Sequence, residues 1–147
     1  MPRISGAIWA CLMPCAATAQ GLLPYTDAAR VANGAAIYDT WCASCHGADL
    51  QGEPDWRVPD ADGFLPAPPH DETGHTWHHA DRLLIDIVTH GTQAVVGGTY
   101  RSNMIGFGNA LSADEILDVL AYIKSTWPPH VTETHDEINA RAEALTD

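Results

Sequence analysis

The chain has 147 residues, 19 acidic against 7 basic side chains and a formal net charge of −12, which is a size for one ordinary domain and a strongly acidic surface. Lys124 is the only lysine. Nucleic acid and anionic membrane surfaces both require clustered Lys and Arg, so they are excluded as partners, whereas an acidic surface serves either plain solubility or docking to a basic face.

The first segment, "MPRISGAIWACLMPCAATAQ", reads as a secretory signal peptide. Arg3 supplies the positive end, Ile4 to Met13 the apolar run, and Ala17-Thr18-Ala19 the small-residue cleavage pattern. The run is too short to span a bilayer and Pro14 interrupts it. Pro14 also stands where a lipid-modified Cys15 would need a small residue. The expected organisation is a signal peptide over 1–19, one domain over 20–127 and a polar C-terminal extension over 128–147, in an exported, soluble protein. Cleavage removes Cys11 and Cys15 and leaves Cys42 and Cys45, too few for a disulfide scaffold.

A first helix is predicted from an N-cap at Thr26 or Asp27, with Val31, Gly34/Ala35, Tyr38 and Trp41 on its apolar face. It runs directly into Cys42-Ala43-Ser44-Cys45-His46. This spacing serves three chemistries. A structural zinc site needs four ligands, and no third cysteine remains, so a Cys2His2 set would have to recruit a later histidine beside His46. A redox disulfide pair of the thioredoxin kind needs a preceding strand and a βαβ pattern, neither of which is visible. Covalent haem accounts for more of the residues: Cys42 and Cys45 share a helical face and reach two vinyl groups on one porphyrin edge, and His46 follows to bind iron.

From Gly47 to about His79, five prolines and four glycines preclude regular structure. So long an irregular segment fits a compact domain when it wraps something, and a large planar cofactor is such a thing. A second helix is expected over Ala80 to about His90, with Leu83/Leu84 and Ile87/Val88 buried and Gly91 as terminator. The third carries a capping box at Ser112 and Glu115 and a staple of Leu111 with Ile116. Its face is Ile116, Val119/Leu120, Ile123 and Trp127, and Pro128-Pro129 stops it. The remainder is polar, with a short surface helix expected around Glu137 to Leu145 and His90, His130 and His135 as ordinary surface residues. With the leader removed, Met104 is the one methionine left. It lies in a Gly/Asn-rich loop before the third helix, where it can fold over the haem face opposite His46 and fill the sixth iron position.

These residues resemble the class I c-type cytochromes, small exported bacterial monohaem electron carriers. The likeness runs from about Ala32 to Trp127, carried by "NGAAIYDTWCASCHG" and "SNMIGFGNALSADEILDVLAYIKSTWP". It implies an all-α fold of three main helices around one haem c, covalently bound through Cys42 and Cys45, with His46 and Met104 as axial ligands. It also implies that Gly34 and Tyr122 mark the crossing of the first and last helices. Pro66 or Pro68 would then supply a carbonyl to the His46 ring, and Trp77 and Arg101 are placed to hydrogen-bond the haem propionates. Ile105 departs from the family habit of a proline after the methionine.

The function expected is periplasmic one-electron transfer by a monomer, between redox protein partners with basic docking faces and without stable membrane insertion. Two alternatives remain. In one, Met104 leaves the iron and the protein is a haem-based sensor or peroxidase-like enzyme. In the other, His70, His75, His78 and His79 bind copper or zinc and the haem assists metal handling.

Overall fold

A computed structural model describes residues 21–145. The leader, with its cysteines and cleavage site, lies outside the described residues. Among those described there are six α-helices and no strand: α1 (Ala28–Trp41), α2 (Ala43–His46), α3 (Asp81–His90), α4 (Thr92–Val96), α5 (Ala113–Ser125) and α6 (Pro129–Glu143), with one 3-10 turn at Thr76–His78. None of these helices is long and apolar enough to cross a membrane.

Asp27 starts α1 by accepting from the amides of Ala29 and Arg30 at 2.9 and 3.2 Å, two of the donors a helix start leaves unpaired. The helix buries Gly34, Ile37 and Tyr38 against α5. Gly34 is required there, because a Cβ would collide with the Asp118 carbonyl oxygen and press on Tyr122. The crossing is locked by polar bonds as well: the Arg30 Nε donates to one Asp118 carboxylate oxygen and Asn33 Nδ2 donates to the other at 2.8 Å. Ile37 takes the buried place expected of Trp41, which is 43 % exposed with its ring edge against Phe107 at 6.2 Å.

The stretch after His46 is irregular as anticipated but pinned from within. Gly52 N–H donates to the His46 carbonyl at 2.7 Å and His70 N–H to that of Leu50 at 2.8 Å. Leu50 is buried in the core. In α3, Leu84 is buried, and Ile85 and Val88 complete the stripe; Leu83 is turned outward. Both the capping box of Ser112 with Glu115 and the burial of Leu111 and Ile116 are present at the start of α5.

The C-terminal segment differs most from expectation. Its helix starts at Pro129, not near Glu137, and buries Val131, His135 and Asn139, one face at four-residue steps. His135 is fully buried rather than a surface residue, with its ring edge on Trp127 at 5.0 Å. Asn139 accepts from the Asp81 amide at 2.8 Å, and Asp81 in turn accepts from the amides of Leu22 and Leu23 at 2.5 and 3.3 Å. Lys124 of α5, with no exposed side-chain surface, pairs with Asp136 of α6.

Candidate functional site

Three of the four sequence-chosen residues sit together where α1 gives way to α2. Cys42 closes α1, its own N–H bonded to Tyr38, and its carbonyl accepts from His46 N–H at 2.9 Å, so the chain turns once more and carries Cys45 and His46 into place. Cys42 is half-buried, Cys45 is exposed and the two are unbridged. Burial, with Cys45 beside it, pushes the Cys42 thiol up to about 11, so it is a protonated thiol at neutral pH.

His46 is 6 % exposed, and its Nδ1 lies 2.8 Å from the Pro68 carbonyl oxygen. A carbonyl only accepts, so Nδ1 carries the proton and Nε2 is left with a lone pair. Burial holds the ring below the ordinary imidazole range, against the opposing pull of Pro68 and Glu53. Of the two prolines considered, Pro68 is thus the one that orients the ring. Gly52 makes this possible: at φ +66°, it lies where a Cβ would strike Pro68 and Pro69. Tyr38 O–H donates to the Gly47 carbonyl at 3.1 Å and braces the turn from the other side. His70 packs its ring 4.0 Å from that of His46, with Nδ1 2.9 Å from Thr76 Oγ1 and its carbonyl accepting from Trp127 Nε1 at 2.8 Å.

Met104 lies on a separate loop, half-buried, its N–H donated to Ser102 Oγ at 3.1 Å. That loop is held to the end of α3 by a bridge between Gly91 and Ile105 and by bonds from Phe107 N–H to Val88 and Gly108 N–H to Thr89. The ring contact of Phe107 with Trp41 brings it beside the Cys42 turn. Trp77 and Arg101 have protein partners: the Trp77 indole donates to the Glu72 carbonyl at 3.2 Å, and Arg101 Nη1 donates to the Asp62 carbonyl at 2.9 Å.

The remaining histidines of the 70–79 segment are taken up by rings. His75 stacks on Trp56 at 5.1 Å and meets His79 edge-on at 5.3 Å, while His78 stacks on Trp77 at 3.7 Å. Among the described residues no group of three or more His, Cys, Asp or Glu side chains is placed to hold a metal ion. The part played by Gly52 escaped the sequence reading, and no local signal marks it, since it depends on a segment distant in the chain.

An all-helical shell that buries a histidine directly after a Cys-Ala-Ser-Cys turn, with its basic nitrogen unbonded, defines a class of proteins that attach haem covalently. A family model described as Cytochrome c matches residues 31–127, and the chain belongs to that family. Membership brings a covalently bound haem c and haem-based electron transfer. The match ends before α6. No match was found among curated proteins or solved structures.

Proposed function

We propose that the chain is a periplasmic electron carrier with a single haem c, joined through thioethers to Cys42 and Cys45, and with His46 and Met104 as the two axial iron ligands. The observation that carries this reading is the His46 to Pro68 hydrogen bond, which leaves Nε2 as the basic nitrogen of a buried ring adjoining Cys45. When bound, the haem would supply a one-electron ferrous/ferric couple, whose potential a thioether ligand from Met104 would raise.

The chain's own residues do the rest. Pro68 holds the imidazole in one tautomer and orientation, Gly52 admits the Pro68 backbone, and the Met104 loop brings a soft sulfur donor from a different part of the chain. With His46 and Met104 both bound to the iron, no position would be left for a substrate, which favours electron transfer over catalysis. The signal-like leader supports export, and bacterial haem attachment of this kind occurs beyond the inner membrane. The charge of −12 suits redox partners with basic docking faces.

The test is the visible spectrum of protein matured with a haem attachment system, oxidised and then reduced under carbon monoxide. A ferric methionine–sulfur charge-transfer band and no carbon monoxide shift are expected. A missing band with rapid carbon monoxide binding would mean an open iron, and a sensor or peroxidase-like role would replace the carrier.

A further inference from the structure

We propose that Arg101 is a positioning residue for Met104, acting as a clasp between the Met104 loop and the long loop that follows the cysteines; this rests on the reading of Met104 as an iron ligand. The Arg101 guanidinium makes two contacts with one turn of that long loop. Its Nη1 donates to the Asp62 carbonyl at 2.9 Å, and its central carbon stands 4.1 Å from the centre of the Phe64 ring.

The turn it grips is firm. Asp60 Oδ1 accepts from the amides of Asp62 and Phe64 at 2.9 and 2.8 Å, Asp60 N–H donates to the Phe64 carbonyl at 2.8 Å, and Gly63 N–H donates back to Asp60 at 3.0 Å. A carbonyl and an aromatic face are thereby presented in a fixed relation, which suits a planar cation and not an ammonium.

On its own side of the clasp, the chain needs holding. Gly97 and Gly98 both have positive φ, and a Cβ on either would meet nothing within 4 Å, so the approach to Met104 runs through open space. Beyond Met104 the chain is fastened again, by Ile105 to Gly91 and Phe107 to Val88. Anchors at Arg101 and Ile105 leave Ser102 to Met104 as a short arc between two fixed points, with the Ser102 hydroxyl bonded to the Met104 amide. An arc so short has few conformations to lose when its sulfur is held in place, and release of the Arg101 end lengthens it back to the glycines.

The test compares holoprotein of wild type, Arg101→Gln, Arg101→Lys, Phe64→Leu and the Arg101→Gln/Phe64→Leu pair by carbon monoxide association to the ferrous form and by the ferric methionine–sulfur band. Loss of either half of the clasp should speed carbon monoxide binding by roughly fivefold and weaken the band, on the scale of an exposed cation–π contact. The paired variant should go little further than the larger single change, since both remove one interaction. Arg101→Lys should fall between wild type and Arg101→Gln. Unchanged carbon monoxide binding in Arg101→Gln, in a wild type that shows the band, overturns the clasp alone. An effect of Arg101→Gln without one of Phe64→Leu also overturns it and places the guanidinium on the haem propionates. A wild type with no band and rapid binding defeats Met104 ligation itself, and the clasp with it.

Discussion

His135 Nε2 lies 2.9 Å from the His79 carbonyl oxygen, so a fully buried ring in α6 is bonded to the backbone that leads into α3. The carbonyl requires Nε2 to carry the proton, which leaves the neutral ring's Nδ1 buried and without a hydrogen bond. Charged neighbours surround it: Asp81 Oδ1 is 3.4 Å from Nε2, and Lys124 and Asp136 act on it from α5 and from its own helix.

This makes stability depend on pH in a definite direction. Burial first, and then Lys124, hold His135 below the ordinary value of 6.5, over the opposing pull of Asp81, the His79 carbonyl and Asp136. The unfolded chain therefore takes up a proton on this residue at higher pH than the folded one does. The stability tied to the neutral ring is fully present above about pH 6.5 and is lost as pH falls below it. Urea unfolding at pH 7.5 and 5.5 should show a smaller loss in His135→Gln than in wild type; equal losses would remove His135 from the account.

Gly34→Ala should destabilise the protein by about 2–3 kcal/mol, because the added methyl meets backbone at the Asp118 carbonyl and the two helices must separate. The denaturation midpoint is the readout. Ala35→Gly, one residue along, should cost only about 1 kcal/mol of helix propensity.

At Gly52, alanine should combine strain at φ +66° with a collision against Pro68 and Pro69, costing about 1–2 kcal/mol or more. The consequence reaches the site, since the Pro68 carbonyl bonded to His46 is displaced, and the reduction potential of the holoprotein should shift.

Ser112→Ala removes one half of the capping box and should cost about 1 kcal/mol, seen as a lower melting temperature with an unaltered visible spectrum.

The ion pair of Lys124 with Asp136 is the one the sequence made hardest to foresee. Lys124→Ala should cost about 3 kcal/mol, because Asp136 loses its cation and the aliphatic stem leaves a gap beside Tyr25. Guanidinium unfolding monitored by Trp fluorescence checks this, and a change under 1 kcal/mol would show the pair to be dispensable.

Local signals carried the reading as far as they reached. Asp27, Ser112 with Glu115, and Gly91 each bond or bend within four residues of themselves, and each marks a helix end in the structure. The cysteine turn and His46 were legible for the same reason. The helix of the C-terminal segment was misjudged because two of its three buried positions are His135 and Asn139, which hydropathy assigns to the surface. Their burial is compensated by partners on the His79 carbonyl and the Asp81 amide, 56 and 58 residues away in sequence. Selection of Pro68 over Pro66 likewise waited on the fold, since it depends on where Gly52 lets the backbone pass.

The carboxylate of Asp81 has a kinetic meaning. Its partners Leu22 and Leu23 precede it by 59 and 58 residues, and Asn139, bonded to its amide, follows it by 58. A group whose bonds span such separations in both directions gains nothing until loops of that length have closed, so it belongs to the slow, late part of folding. The turn that carries Cys42, Cys45 and His46 is built from contacts only three to nine residues apart and can be in place well before. The order this sets is attachment turn first, with the joining of the two ends at Asp81 as the last closure.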